Sequence, residues 1–228
     1  MTRVGWEVES AVKALSKKDC VAALDLLAEA YPQAACALNY HSLFELITAV
    51  VLSAQTTDKS VNLVTPELFA RYPGAAEMAD ADETELEDIL RRIGMYRTKA
   101  KNIRLMAQAL RDEHGGEPPD SFDELVKLPG VGRKSANVVL SVGFGHQRIA
   151  VDTHVFRIAN KVGFCHERDV LKTELALMRQ IPENRWTEAH HSLIFHGRNC
   201  CFAKKPDCGR CVINGYCMSF GGSNAARS

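Results

Sequence analysis

Two groups of residues in this chain have the types and the spacing to do chemistry. The first is a set of cysteines. Cys201, Cys208, Cys211 and Cys217 are spaced C-x6-C-x2-C-x5-C on one short, Pro- and Gly-containing loop. Thiolates so placed can wrap a single centre while few residues are ordered, and four of them suit a [4Fe–4S] cluster or a tetrahedral zinc ion. Zinc sites usually pair two tight C-x-x-C knuckles. Here only Cys208 and Cys211 form one, and three crowded ligands with one farther off favour iron–sulfur. Cys200 directly precedes Cys201. Neighbouring side chains point in different directions, so one of the two is a non-ligand, and spacing alone does not say which. Lys204 and Lys205 lie inside the loop, with Arg198 before it and Arg210 within it. A tethered loop with these cations can hold phosphates, although a charged loop taken by itself is more often simply solvated.

The second group surrounds a glycine turn. Leu128-Pro129-Gly130-Val131-Gly132 joins two predicted helices. Pro129 cannot continue the first helix. Gly130 and Gly132 allow positive φ and bring bare backbone to the surface. Gly132 then opens a helix, whose free amides and dipole favour an anion. Such a hairpin can bind a DNA phosphate through main-chain N–H groups without reading bases; a tight turn between packed helices is the plainer alternative. Lys134 falls in the first turn after the hairpin. A cation there opposes the helix dipole, so stability would not choose it, and a primary amine is a usable nucleophile. Asp152, in Val151-Asp152-Thr153-His154, precedes a further helix. Asp is a favoured N-cap, and this carboxylate can both cap and catalyse. His154, His190, His191 and His196 are expected to be hydrogen-bonded structural residues or phosphate contacts.

The elements that must position these groups are helical almost throughout. Ser42 with Glu45 forms a capping box, and Leu43, Leu46, Ile47, Val50, Val51 and Ala54 follow at helical spacing. A helix through Leu86 to Arg92 is expected to end on Gly94 as a left-handed C-cap. Thr98 to Glu113 closes on Gly115 and Gly116. Ser121 with Glu124 reads as a second capping box, on a helix that stops at Pro129. Further helices are expected over Lys134 to Ser141, Thr153 to Val162, Asp169 to Gln180 and Thr187 to Phe195. Gln147 to Val151 is at most a short extended piece. The expectation is an all-α chain of many short helices, with no internal repeat and no long linker.

Composition narrows the partners. The 228 residues are 46% hydrophobic and 25% charged, with 28 Lys plus Arg against 28 Asp plus Glu. These values are ordinary for a globular chain. Formal neutrality excludes a generally basic protein, so nucleic-acid binding must come from a local patch. No window approaches the ~18 apolar residues of a membrane span; Leu43 to Ala54 is interrupted by Glu45, Thr48 and Ser53. Met1 to Ser10 has no apolar run and does not read as a signal peptide. A reducing cytosol is therefore the default, and there clustered cysteines mean metal rather than disulfides.

Taken together, the motifs resemble the endonuclease III family of base-excision DNA glycosylases. The residues that carry the resemblance are Leu52-Ser53-Ala54-Gln55-Thr56-Thr57-Asp58, Leu128 to Lys134, Val151 to His154, and His196-Gly197-Arg198 with the cysteine loop. The similarity is collinear from about Cys20 to Cys217, and the first 14 or so residues look like an extension. The resemblance implies a helix–hairpin–helix glycosylase fold. Its six-helix barrel domain would span residues 36–146, and its iron–sulfur cluster domain would be discontinuous, 1–35 with 147–228. It makes Cys201, Cys208, Cys211 and Cys217 the [4Fe–4S] ligands, Lys134 the catalytic lysine and Asp152 the catalytic aspartate. Gln55 fills the hole left by a flipped base. Met95 stands where relatives often carry Leu as a wedge, a departure to a similarly apolar but more pliable side chain. Gly130, Gly132, Arg133, Lys204 and Lys205 complete the DNA contacts. The implied protein is a cytoplasmic monomer, nucleoid-associated while it scans. It would act on double-stranded DNA with damaged bases or abasic sites, and remove damaged, expectedly oxidised, pyrimidines with β-elimination. Two alternatives stand beside it. The adenine-from-mismatch branch normally lacks a lysine at Lys134 and has a further C-terminal domain, whereas only 11 residues follow Cys217 here. A non-catalytic DNA-binding module with a structural metal would leave Lys134 and Asp152 unexplained.

Overall fold

Helix starts are where local sequence acts most directly on this chain. The computed structural model describes residues 14–220, and among these no strand occurs. The helices are α1 (Lys17–Ala30), α2 (Leu43–Leu52), α3 (Asp58–Arg71), α4 (Ala75–Ala79), α5 (Glu83–Leu90) and α6 (Tyr96–Glu113). They continue as α7 (Phe122–Leu125), α8 (Arg133–Gly143), α9 (Thr153–Val162), α10 (Val170–Gln180) and α11 (Trp186–Asn199). Ser16, Ser42, Thr57, Asp82, Asp152 and Asp169 each accept a backbone N–H of the helix they precede. Each bond satisfies an otherwise orphaned donor, worth about 1 kcal/mol. No helix of the described residues is long and apolar enough to cross a membrane. The expected N-terminal extension and the segment Met1 to Ser10 lie almost wholly outside the described residues.

Three local expectations change in detail. Glu45 reaches past Ser42 and accepts from the His41 N–H at 2.6 Å, while the Ser42 hydroxyl accepts from the Glu45 N–H at 3.1 Å. Ser121 does precede α7 but makes no side-chain cap; Glu124 is drawn instead to Lys127 at 2.6 Å. Helix α5 stops at Leu90, and the left-handed residue after it is Met95 (φ 57), not Gly94. Ile93 is buried and α6 begins at Tyr96, so the chain must reverse within two residues, and Met95 takes the turn.

The chain divides into two compact units: residues 33–150 with 183–191, and, within the described residues, 14–32 with 151–182 and 192–220. The larger unit is built on α2. Phe44, Leu46, Ile47, Ala49, Val50, Val51 and Leu52 are all at most 2% exposed. A helix buried nearly all round belongs at a centre. Val61, Val64 and Leu68 of α3, Leu86 and Leu90 of α5, Ile103, Met106 and Leu110 of α6, and Val139 and Leu140 of α8 join it in one core. In the smaller unit, α9 buries Val155, Ile158, Ala159 and Val162, a helical stripe at i, i+3, i+4 and i+7. The Leu15 N–H donates to the Gly163 carbonyl at 2.8 Å, and the Gln180 amide donates to the Leu15 carbonyl at 3.4 Å.

The hairpin between α7 and α8 is a type II turn. Pro129 occupies its second position and Gly130 its third, at φ 80, and the Val131 N–H donates to the Leu128 carbonyl at 3.1 Å. A Cβ on Gly130 would meet Val51 Cγ1 at 3.0 Å and Asn102 Cβ at 3.1 Å. Gly132 differs from expectation. Its φ is −91, in extended backbone, and a Cβ there would meet nothing within 4 Å. The turn therefore needs one left-handed glycine, and the second leaves the start of α8 open. Gly130→Ala should cost roughly 2–4 kcal/mol through backbone strain and overpacking. Gly132→Ala should cost under about 1 kcal/mol, the difference between Gly and Ala as N-cap. Urea unfolding of the two variants checks this, and equal losses would contradict the assignment.

Candidate functional site

The cysteine loop starts where α11 is terminated. The N–H groups of Cys200 and Cys201 both donate to the His196 carbonyl, at 3.0 and 2.9 Å. Tight 3-10 turns then deliver the remaining thiols. The Cys211 N–H donates to the Cys208 carbonyl, the Asn214 amide donates to the same carbonyl, and the Cys217 N–H donates to the Asn214 carbonyl. Cys200, Cys201, Cys208, Cys211 and Cys217 all line one cavity with His196 and Asn214. None is in a disulfide.

The donor set fits a soft metal centre. Asp207, the carboxylate in the loop, pairs with Arg210 at 2.6 Å. Burial pushes the Cys211 thiol up to about 12 and raises those of Cys217 and Cys200. Thiolates in such a place need a cation bonded to them, which an iron–sulfur cluster supplies. Cys20 and Cys165, also buried and pushed to about 12 and 11, lie outside this group and behave as core thiols.

The two adjacent cysteines differ in their surroundings. The Cys200 thiol donates to the Asp207 carbonyl at 3.3 Å. The Cys201 sulfur accepts from the Arg157 guanidinium at 3.8 Å, and the same guanidinium bonds the Cys201 carbonyl and, at 3.3 Å, that of Gly197. A cation beside a sulfur suits a thiolate. His196 is fully buried, with Nδ1 3.2 Å from the Tyr31 hydroxyl and Nε2 3.6 Å from Cys211 Sγ. Burial, with Arg157 nearby, takes its imidazole down to about 4, so it is neutral at neutral pH. Among the described residues the one set of His, Cys and carboxylate ligand atoms within 4.8 Å of one another is His196, Cys200 and Cys211; of the four expected cluster ligands it includes Cys211, while Cys201, Cys208 and Cys217 line the same cavity farther apart. His154, within 3.2 Å of Arg157, and His196 are thus hydrogen-bonded structural residues. Arg157 and Tyr31 carry no motif that would have singled them out in the sequence.

Lys204 and Lys205 are exposed and form no ion pair among the described residues, and Lys205 is left-handed at φ 54. Arg210 is held by Asp207. Lys134 is the second residue of α8, behind the uncapped Gly132, and its exposed amine has no hydrogen-bond partner among the described residues. Arg133 stacks its guanidinium 5.0 Å over the Phe122 ring. Asp152, in the smaller unit, caps α9 through Oδ1 alone, accepting the N–H groups of His154 and Val155, each at 2.8 Å. Its Oδ2 is not used by the cap. Gln55 and Met95 are both exposed and both left-handed, at φ 52 and 57. A residue that sequence did not single out stands between their loops. Lys99 is 3% exposed and donates from its amine to the Thr56 hydroxyl.

Comparison with known proteins adds names to this geometry. The HhH-GPD superfamily base excision DNA repair protein model matches residues 48–183, and the iron-sulfur binding domain of endonuclease III matches residues 201–217. Endonuclease III of Bacillus subtilis (strain 168) is 46% identical over 204 residues, which cover 89% of this chain and 93% of that protein. Endonuclease III of Escherichia coli (strain K12) is 42% identical over 194 residues, covering 85% and 92%. A solved non-covalent endonuclease III–DNA complex superposes with a TM-score of 0.87 at 45% identity, covering 91% of this chain and 98% of that one. A thermostable thymine-DNA glycosylase shares the fold, with a TM-score of 0.80 at 19% identity and coverage of 90% and 98%.

The contrast between the adjacent cysteines is testable. Cys201→Ser should lose bound iron and visible absorbance, while Cys200→Ser should keep both. Iron content and the absorption spectrum of the two purified variants decide it, and loss confined to the Cys200 variant would reverse the assignment.

Proposed function

The chain belongs to the endonuclease III family, within the HhH-GPD superfamily of base excision DNA repair proteins, and from that membership we propose how its residues do the work. It is a DNA glycosylase with AP lyase activity on damaged pyrimidines, and it carries a [4Fe–4S] cluster. The lesions we assign to it are oxidised pyrimidines in duplex DNA, handled by a cytoplasmic monomer. A base inside the stack cannot be attacked, so the nucleotide must first be turned out. Gln55 takes the vacated place and Met95 wedges against the opposite strand. The amides at the open start of α8, with Gly130 and Gly132 leaving backbone bare, hold a phosphate, and Arg133, Lys204 and Lys205 add cations along the strand.

Lys134 is the nucleophile. Its neutral amine adds to C1′ of the sugar as the glycosidic bond breaks, and the bond's electron pair leaves with the base, which takes up a proton. Opening of the sugar ring gives a Schiff base. Loss of a proton from C2′ then expels the 3′ phosphate and cuts the strand. Asp152 stabilises the cationic sugar through the carboxylate oxygen its cap leaves over, and so assists the attack by Lys134. Cys201, Cys208, Cys211 and Cys217 hold the cluster, which organises the loop bearing Lys204 and Lys205. The single observation that carries this reading is the exposed Lys134 amine, unpartnered among the described residues, at an uncapped helix start behind a glycine hairpin. A purely structural lysine would not be placed against the dipole with nothing to bond.

Lys134→Ala should abolish the borohydride-stable adduct with abasic DNA while leaving duplex affinity within about threefold, since one lost phosphate contact would itself cost little more. An adduct at wild-type yield would mean another amine attacks. Asp152→Asn should keep α9 capped, because Asn caps as well as Asp. Its single-turnover base removal should nevertheless fall by at least about 100-fold, the scale of a lost positioned acid–base group. An unchanged rate would leave Asp152 as a cap only.

A further inference from the structure

Lys99 is hard to explain as a stabilising residue. It is buried at 3% exposure in the first turns of α6, where the helix dipole disfavours a cation. A buried ammonium normally faces a carboxylate, because leaving water is costly. Among the described residues no acidic group lies within ion-pair distance of Lys99, and burial lowers its amine from the ordinary lysine range. Its side chain has one hydrogen-bond partner, the hydroxyl of Thr56. Methionine would occupy the same volume without the desolvation cost.

Its contacts indicate a different role. The ammonium can only donate, so the Thr56 oxygen accepts from it, and the Thr56 hydroxyl proton is directed to the Ala54 carbonyl at 3.4 Å. The Lys99 backbone N–H donates to the Met95 carbonyl at 3.0 Å. One residue therefore joins the turn 54–56 to the turn at Met95. Those turns hold Gln55 and Met95, two of the three described non-glycine residues at positive φ. Such backbone is strained and persists only where the surroundings impose it. Both side chains are exposed; for Met95 the figure is 52%.

We propose that Lys99 is a positioning residue for base extrusion, clamping the Gln55 turn to the Met95 turn so that both side chains enter the duplex as one rigid pair. This rests on the reading of Gln55 as the residue that fills the vacated place and Met95 as the wedge. The clamp acts on opening the duplex and leaves chemistry at the sugar alone. Its loss therefore matters where a base must be turned out of a duplex, and not where no opposite strand exists.

The test uses the full-length holoprotein with Lys99→Met, Thr56→Val and Thr56→Ser. Two rates are measured under single turnover: base removal from a duplex holding an oxidised pyrimidine, and cleavage of an abasic site in single-stranded DNA. Lys99→Met and Thr56→Val should each slow duplex base removal by about 10- to 100-fold, a loss that an ångström's misplacement by a mutation remote from the chemistry can reach. Single-strand cleavage should stay within about twofold. Thr56→Ser, which keeps the hydroxyl, should retain the wild-type duplex rate. The Lys99→Met protein should unfold at no lower temperature than wild type, since a buried unpaired charge is removed. A purely structural role predicts a lower melting temperature and equal losses on both substrates, and that outcome overturns the proposal. So does a Lys99→Met protein with an unchanged duplex rate, or a Thr56→Val protein that matches wild type. Gln55→Ala and Met95→Ala, assayed on the same two substrates, separate the two levels. If they too leave duplex base removal intact, the roles given to these side chains fail. If they slow it and Lys99→Met does not, only the clamp fails.

Discussion

Beyond its first turn helix α2 has no side left for water, and the larger unit is arranged around that constraint. Because seven of its apolar side chains are at most 2% exposed, helices must cover it on every face, and α3, α6 and α8 pack directly against it. The site follows from this packing. The C-terminal end of α2 runs straight into the turn that carries Gln55. Val51, in its last turn, would stand 3.0 Å from a Cβ on Gly130, so a glycine hairpin fits closest against it. Asn102 of α6 closes the other side of Gly130, and Lys99 lies one helical turn earlier on α6. The hairpin, the Gln55 turn and the Met95 turn are thus referenced to one apolar helix rather than to one another through solvent. A core of this kind is stiff, which suits the roles proposed for Gln55 and Met95.

A chain of zero net charge that handles DNA has to decide which cations are left free. Many of its surface cations are consumed. Arg71 pairs with Glu85, Arg91 with Asp88, Arg104 with Glu83, Arg111 with Asp80, and Arg210 with Asp207. Exposed pairs of this kind add at most about 1 kcal/mol to stability. Their larger effect is on the distribution of positive potential. Lys204 and Lys205 have no such partner among the described residues, so no neighbouring carboxylate competes for them. Binding can then rest on a few local cations instead of on bulk basicity.

The cysteine loop solves a different difficulty. Between residues 202 and 216, Ile213 is the one fully buried side chain, far too little apolar area to hold the segment against its chain entropy. Metal–sulfur bonds supply what the missing core cannot. The loop is also seated from outside. Arg157 of α9 holds Cys201 by its carbonyl and sulfur, and Tyr31, just past α1, holds His196. The cluster's cradle is therefore shared between the loop and the helices beneath it.

Signals carried by short stretches of chain were legible in the bare sequence. The all-helical class, the Ser42 and Asp152 caps, the Pro129–Gly130 turn, the open helix start before Lys134 and the four-cysteine spacing are all of this kind, because backbone hydrogen bonds and thiol spacing are local. The same locality explains the misses. Ser121 had the pattern of a capping box, but Glu124 found Lys127 instead. Gly94 looked like the stop, but burial of Ile93 passed the left-handed turn to Met95. Lys99 was invisible, since in Arg97-Thr98-Lys99-Ala100-Lys101 it reads as one more solvated cation. Its burial is imposed by a turn 43 residues away, just as His196 is defined by Tyr31, 165 residues distant. Residue type and spacing state what a side chain is able to do. Which face is covered, which charge is left without water and which pairs are forced together depend on how elements far apart in the chain exclude solvent between them, and that is a property of the packed molecule alone.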